Sequence, residues 1–64
     1  MKKRMEYNEI KKLNVNDNIF IRIGNKFIDA TVISPLFWNS DADEPDWEIE
    51  TTNGFVDIYS VYKK

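Results

Sequence analysis

Ile19-Phe20-Ile21-Arg22-Ile23-Gly24-Asn25-Lys26-Phe27-Ile28-Asp29-Ala30-Thr31-Val32 is the stretch that decides the fold. Two runs rich in β-branched and aromatic residues flank Gly-Asn, which predicts a hairpin with a two-residue turn. That turn sets Ile23 opposite Lys26, Ile21 opposite Ile28 and Ile19 opposite Ala30. One face then reads Ile19, Ile21, Ile23, Ile28, Ala30 and Val32, and it is wholly apolar. A three-residue turn would put Asp29 on the face of the isoleucines. A slip of one residue turns a strand's whole face over, so the two-residue register is the one that buries a dry surface. The opposite face carries Phe20, Arg22, Phe27, Asp29, Thr31 and Ile33.

Downstream, Pro35 is expected to end the second strand. A long polar connection should follow from Leu36 to Asp46, opening with Phe37-Trp38 and continuing with acids. Loops of that length on a compact domain are often functional. A second hairpin is expected from Trp47 to Tyr59 around Asn53-Gly54, a type I′ signal. Its two-residue register sets Ile49 opposite Ile58, Thr51 opposite Val56 and Glu50 opposite Asp57. Trp47, Ile49, Val56 and Ile58 then face inward, and Glu48, Glu50, Phe55, Asp57 and Tyr59 face outward. Like charges directly opposite are unfavourable, so Glu50 facing Asp57 hints that this face serves a partner. Ser60 to Lys64 should add a last turn and a short edge strand with Val61 inward.

Upstream, residues 1–12 read as an arm or short helix, expected to pack Ile10 and Leu13 onto the barrel. The basic start Lys2-Lys3-Arg4 lacks the apolar stretch of a signal peptide, and a frayed, solvated terminus is expected there. No run approaches the ~18 apolar residues of a membrane span, and the default location is cytoplasmic.

Two hairpins, the connection between them and a short terminal strand suggest a mostly β domain over residues 13–64, a five-stranded small barrel. The sequence here resembles the SH3-like barrels of the Tudor and KOW kind. Leu13, Val15, Asp17, Ile19, Ile21, Gly24, Ala30, Val32 and Ile33 carry the resemblance, with Trp47-x-Ile49, Gly54 and Ile58-Tyr59-Ser60-Val61 as a second match. In such barrels a Gly-Asp turn often leads into the first long strand; here Asn16 stands in place of the Gly. The resemblance implies a fold more than a function, because this fold hosts many unrelated binders.

The 64 residues include no Cys and no His. Disulfides are excluded, a structural zinc site is disfavoured, and neither a Ser-His-Asp nor a Cys-His arrangement can be built. A non-catalytic domain without a cofactor is expected, its thin core filled by aromatic packing, with homodimer formation left open. Asp41-x-Asp43-Glu44-x-Asp46 lacks the Gly and terminal Glu of a calcium loop.

Charge segregation is the sharpest functional signal. From Phe27 to Tyr62 there is no Lys or Arg, yet the stretch holds Asp29, Asp41, Asp43, Glu44, Asp46, Glu48, Glu50 and Asp57. Such asymmetry points to a partner of opposite charge. The expected function is docking on a protein with a basic surface through Trp38, Asp41, Asp43, Glu44, Asp46, Glu48, Glu50, Asp57 and Tyr59. In size and charge the chain resembles compact phage and mobile-element inhibitors of host nucleic-acid-handling enzymes, whose carboxylates mimic phosphates. A solubilising surface is the plain alternative. A second reading is a peptide-binding adaptor using exposed Trp38 and Tyr59. A third is direct nucleic-acid binding by Lys11, Lys12, Arg22 and Lys26 beside Phe20 and Phe27.

Overall fold

The computed structural model describes residues 2–41 and 43–64. Its elements are a one-turn helix α1 (Tyr7–Ile10) and five strands: β1 (Asn18–Ile23), β2 (Lys26–Asn39), β3 (Asp46–Thr51), β4 (Gly54–Asp57) and β5 (Val61–Tyr62). A 3-10 turn at Ile58–Ser60 joins the last two strands. The strands pair antiparallel in the order β4-β3-β2-β1-β5. The described residues contain no β4–β5 pairing, so the expected barrel is an open, bent sheet.

The first hairpin has the register expected from its apolar face: Ile23 opposite Lys26, Ile21 opposite Ile28, Ile19 opposite Ala30. Gly24 takes φ +61° while Asn25 keeps a negative φ, the pattern of a type II′ turn, whose twist suits the flanking strands. Ile19, Ile21, Ala30 and Val32 are buried, whereas Ile23 lies beyond the core near the turn and is exposed.

Pro35 does not end β2. The strand runs on to Asn39 because its two halves serve different neighbours. Residues Lys26–Thr31 pair with β1, and residues from Val32 onward pair with β3. The register with β3 shifts by one residue between Val32 and Ser34 and again between Ser34 and Phe37. Proline is tolerated at such bulges, where the ladder is interrupted and its missing N–H costs nothing. Strands that switch sheets through bulges make corners. β2 is therefore the corner strand of two three-stranded layers, β5-β1-β2 and β2-β3-β4.

The second hairpin departs from expectation by two residues. Ile49 pairs with Val56, Glu50 with Phe55 and Glu48 with Asp57. The turn centres on Thr52-Asn53, with Gly54 following at φ +93°, the left-handed residue of a G1-bulge loop rather than half of a type I′ pair. Thr51 fixes this choice. Its Oγ1 accepts from the Asn53 N–H (3.0 Å) and donates to the Gly54 carbonyl (2.9 Å), which lets a hydroxyl be 98 % buried without loss.

Asn16 adopts φ +79° and so fills the left-handed position that a Gly would occupy. Its N–H donates to the Val32 carbonyl, and the Val32 N–H donates to the Asp17 carbonyl, both at 2.9 Å. The turn thereby sews the start of β1 to the corner of β2.

The amino-terminal arm is tied down, contrary to the frayed terminus expected. The Met5 N–H donates to the Val61 carbonyl (2.9 Å), and the Lys63 N–H to the Lys3 carbonyl (2.8 Å). Arg4 bridges Tyr62 as a short β pairing. Met5 and Ile10 enter the core with Ile19, Ile21, Ala30, Val32, Ile49 and Val61, and Leu13, Leu36, Val56 and Ile58 pack around it. The apolar anchors offset the ordering entropy of the arm. α1 starts with a capping box formed by Glu6 and Glu9, which satisfies otherwise orphaned N–H groups.

Two predictions follow from the arm and the Asn16 turn. Left-handed backbone costs an ordinary L-residue about 1–2 kcal/mol, less for Asn and nothing for Gly. Asn16→Val should lower the unfolding free energy by about that amount, and Asn16→Gly should hold or raise it, as read by urea denaturation. The second concerns Glu9, whose carboxylate accepts from Lys63 Nζ and from the Glu6 N–H. The Lys63 bond first, then the backbone N–H, hold its pKa below the ordinary value. The folded state thus binds its proton more weakly than the unfolded chain. The stabilisation is complete above the unfolded pKa and is lost as pH falls through the folded one. Glu9→Gln should therefore flatten the acid limb of stability against pH, as read by urea denaturation at a series of pH values.

Candidate functional site

Cross-strand partners share a face of a sheet, so the pairing defines what β2-β3-β4 shows to solvent. One row crosses the strands as Phe37, Glu48, Asp57; the next as Ser34, Glu50, Phe55; and Asn39 stands beside Asp46 at the end. Phe37 and Phe55 reach over β3 and meet edge to face, ring centroids 5.8 Å apart. Phe55 is 61 % exposed. The result is an aromatic pair set among Asp46, Glu48, Glu50 and Asp57.

Several of these acids are held in place. Asn39 Nδ2 donates to Glu48 Oε1 at 2.8 Å, and Asp46 Oδ1 accepts from the Trp47 N–H at 2.7 Å. Asp57 Oδ1 caps the 3-10 turn, accepting from the Tyr59 N–H (2.9 Å) and Ser60 Oγ (3.2 Å). Glu48 sits directly opposite Asp57. Among the described residues, the ion pairs are Lys63–Glu9 and Lys64–Asp29, and neither includes a carboxylate of this face. Also among the described residues, no group of three or more metal-type ligands converges, and no helix is long and apolar enough to cross a membrane.

The remaining expected site residues are distributed elsewhere. Asp41, Asp43 and Glu44 lie exposed in the turn between β2 and β3, which is shorter than the loop read from sequence because Leu36–Asn39 is strand. Trp38 belongs to β2, not to that loop. It faces Trp47 across the strands, rings 5.4 Å apart, and Trp47 in turn meets Tyr7 at 5.7 Å. These rings meet edge to face on the side opposite Phe37, so Trp38 is separated from the β3 carboxylates by the sheet. Trp47, expected in the core, is only half-buried. Tyr59 is exposed on the 3-10 turn, with the Arg4 guanidinium 6.0 Å from its ring centre. The structure does not bring Trp38 and Tyr59 together.

The bases expected to gather around Phe20 and Phe27 are also dispersed. Arg22 shares their face, but Lys26 pairs with Ile23 on the other one. Lys11 caps the end of α1 and lies over Tyr7. Sequence reasoning placed Phe55 outward but not its contact with Phe37, because the two bulges that turn Phe37 outward leave no mark in the alternation of residues.

The charges of this face oppose one another, so adding a cation should relieve it. Glu50→Lys is expected to stabilise the fold by about 0.2–1 kcal/mol, seen as a higher thermal midpoint that falls back towards the parent value in high salt. Comparisons with protein-family models, curated proteins and solved structures find no match to this chain, so its functional reading rests on the faces described above.

Proposed function

We propose that this chain is a non-catalytic, SH3-like binding domain that docks its acidic β2-β3-β4 face onto a basic protein surface. The observation that carries the reading is the ordered array of Asp46, Glu48, Glu50 and Asp57 around the Phe37–Phe55 pair, with no cation paired to it among the described residues. Folding alone gains nothing from Glu48 opposite Asp57. Interfaces, by contrast, use exposed aromatics as anchors and charged rims for steering. The SH3-like assignment draws support from two hairpins, a corner strand shared by two layers and a short last strand returning to β1.

The most specific form of the reading is nucleic-acid mimicry. Alternate residues on a strand repeat at roughly 6.7 Å, about two base steps of a duplex. Asp46, Glu48 and Glu50 thus line up along one strand at a spacing matching every second phosphate of a nucleic-acid strand. An inhibitor of a nucleic-acid-handling enzyme, of the kind found in phages and mobile elements, would act in this way.

The test is capture of partners from the native host on wild-type protein and on Glu48→Lys/Glu50→Lys. The expected partner carries a basic surface, is released as salt rises, is displaced by added nucleic acid and is lost with the double reversal. A partner retained through the double reversal and through high salt would overturn acidic docking in favour of aromatic peptide capture.

A further inference from the structure

The outer face of the other layer, β5-β1-β2, has the opposite character. Phe20 and Phe27 meet edge to face at 6.5 Å, and Phe27 meets Tyr62 at 5.0 Å, making one three-ring cluster across the three strands. Phe20 pairs with Tyr62 on β5, while Phe27 pairs with Arg22 on β1, so all four side chains share this face. Cations surround the rings. Lys2 Nζ lies 4.9 Å from the Phe20 ring centre and 5.0 Å from that of Phe27, and Lys64 Nζ lies 5.8 Å from Phe20. Arg22 Nη1 stands 3.5 Å from the Tyr62 hydroxyl, its Nε bound to the Gly24 carbonyl. Asp29, an acid on the same face, is engaged by Lys64 at 2.7 Å.

We infer that this face is a binding surface for single-stranded nucleic acid, with Phe20, Phe27 and Tyr62 receiving bases and Lys2, Arg22 and Lys64 receiving phosphates. Sequence-tolerant single-strand binding needs these two things together: aromatic rings for π-faces, and a cationic margin for the backbone. Lysines already resting over rings can swing to a phosphate and leave the rings to a base. The formal net charge of −2 does not forbid this. The acidic array projects from the other layer of a body 32 × 24 × 21 Å in extent, and charges are screened beyond about 8 Å at physiological salt. A second copy, offering its acidic face, is the competing occupant. Three clustered rings favour the polynucleotide, because a carboxylate surface would draw on the cations and leave the rings unused.

The proposal does not rest on the acidic face, and the experiment separates the two. A fluorescently labelled oligothymidylate of about 15 nucleotides is titrated with protein at low salt, and its anisotropy is followed. Saturable binding is expected, weakening steeply as salt rises. Lys2→Glu/Lys64→Glu, which alters exposed ends and no core residue, should weaken it about tenfold or more. Phe27→Ala should weaken it about tenfold, as should an abasic strand of the same length and charge. Glu48→Lys/Glu50→Lys should bind at least as well as wild type. Absence of saturable binding at low salt would overturn the proposal. So would equal affinity for the abasic strand, or unchanged binding by the Lys2/Lys64 double variant. A particle mass that climbs with protein concentration while the oligonucleotide is ignored assigns the face to a second copy, and likewise overturns it.

Discussion

The fold depends on one strand doing two jobs. β2 gives its first half to β1 and its second half to β3, and the bulges around Ser34 and Pro35 let it turn between them. A chain of 64 residues without disulfides has little apolar area to divide between two independent sheets. Bending one sheet about a shared strand lets Ile19 and Ile21 from one layer meet Ile49 from the other. Met5 and Ile10 from the arm and Val61 from the last strand complete that core. The Asn16 turn and the Thr51 hydroxyl each fix a loop to this corner through hydrogen bonds rather than through extra apolar bulk.

The same bend sorts the charges. Each layer has an inner side committed to the core, so every alternate residue must face water. In β5-β1-β2 the outward rings of Phe20, Phe27 and Tyr62 are joined by Arg22 and by Lys2 and Lys64 from the chain ends; in β2-β3-β4 the outward residues are aromatic and acidic. The segregation seen along the chain thus becomes a segregation between two surfaces. The two faces proposed as binding surfaces thus lie on different layers of one small body, far enough apart for salt to screen one from the other.

The sequence made the first hairpin legible because only one register gives an unbroken apolar face across Ile19, Ile21, Ile28 and Ala30. The second hairpin was readable as to faces but not partners. A shift of two residues keeps Ile49 and Val56 inward, so the inside-outside pattern is blind to it, and Thr51's hydrogen bonds decide. Pro35 misled because a proline reads as a strand end when nothing local reveals that β2 changes neighbours there. Ending the strand there hid the strand character of Trp38 and made the expected loop longer than the turn that exists. The tethering of Lys3 and Met5 to β5 was invisible, since it joins residues from opposite ends of the chain. In the site, outward Glu48, Glu50 and Asp57 followed from alternation, whereas the gathering of Lys2 and Lys64 over Phe20 could come only from the fold.

β4 is a terminal strand of the sheet, and among the described residues one of its sides has no backbone partner. Exposed edges invite another strand to add and so seed aggregation. Here the edge is four residues long, begins at a left-handed Gly54 and ends where Asp57 folds away into the 3-10 turn. A second copy pairing edge to edge would bring its own Asp57 beside this edge, with its Glu48 and Glu50 one strand behind. The acidity of this edge therefore works against sheet-to-sheet joining, independently of any role in binding.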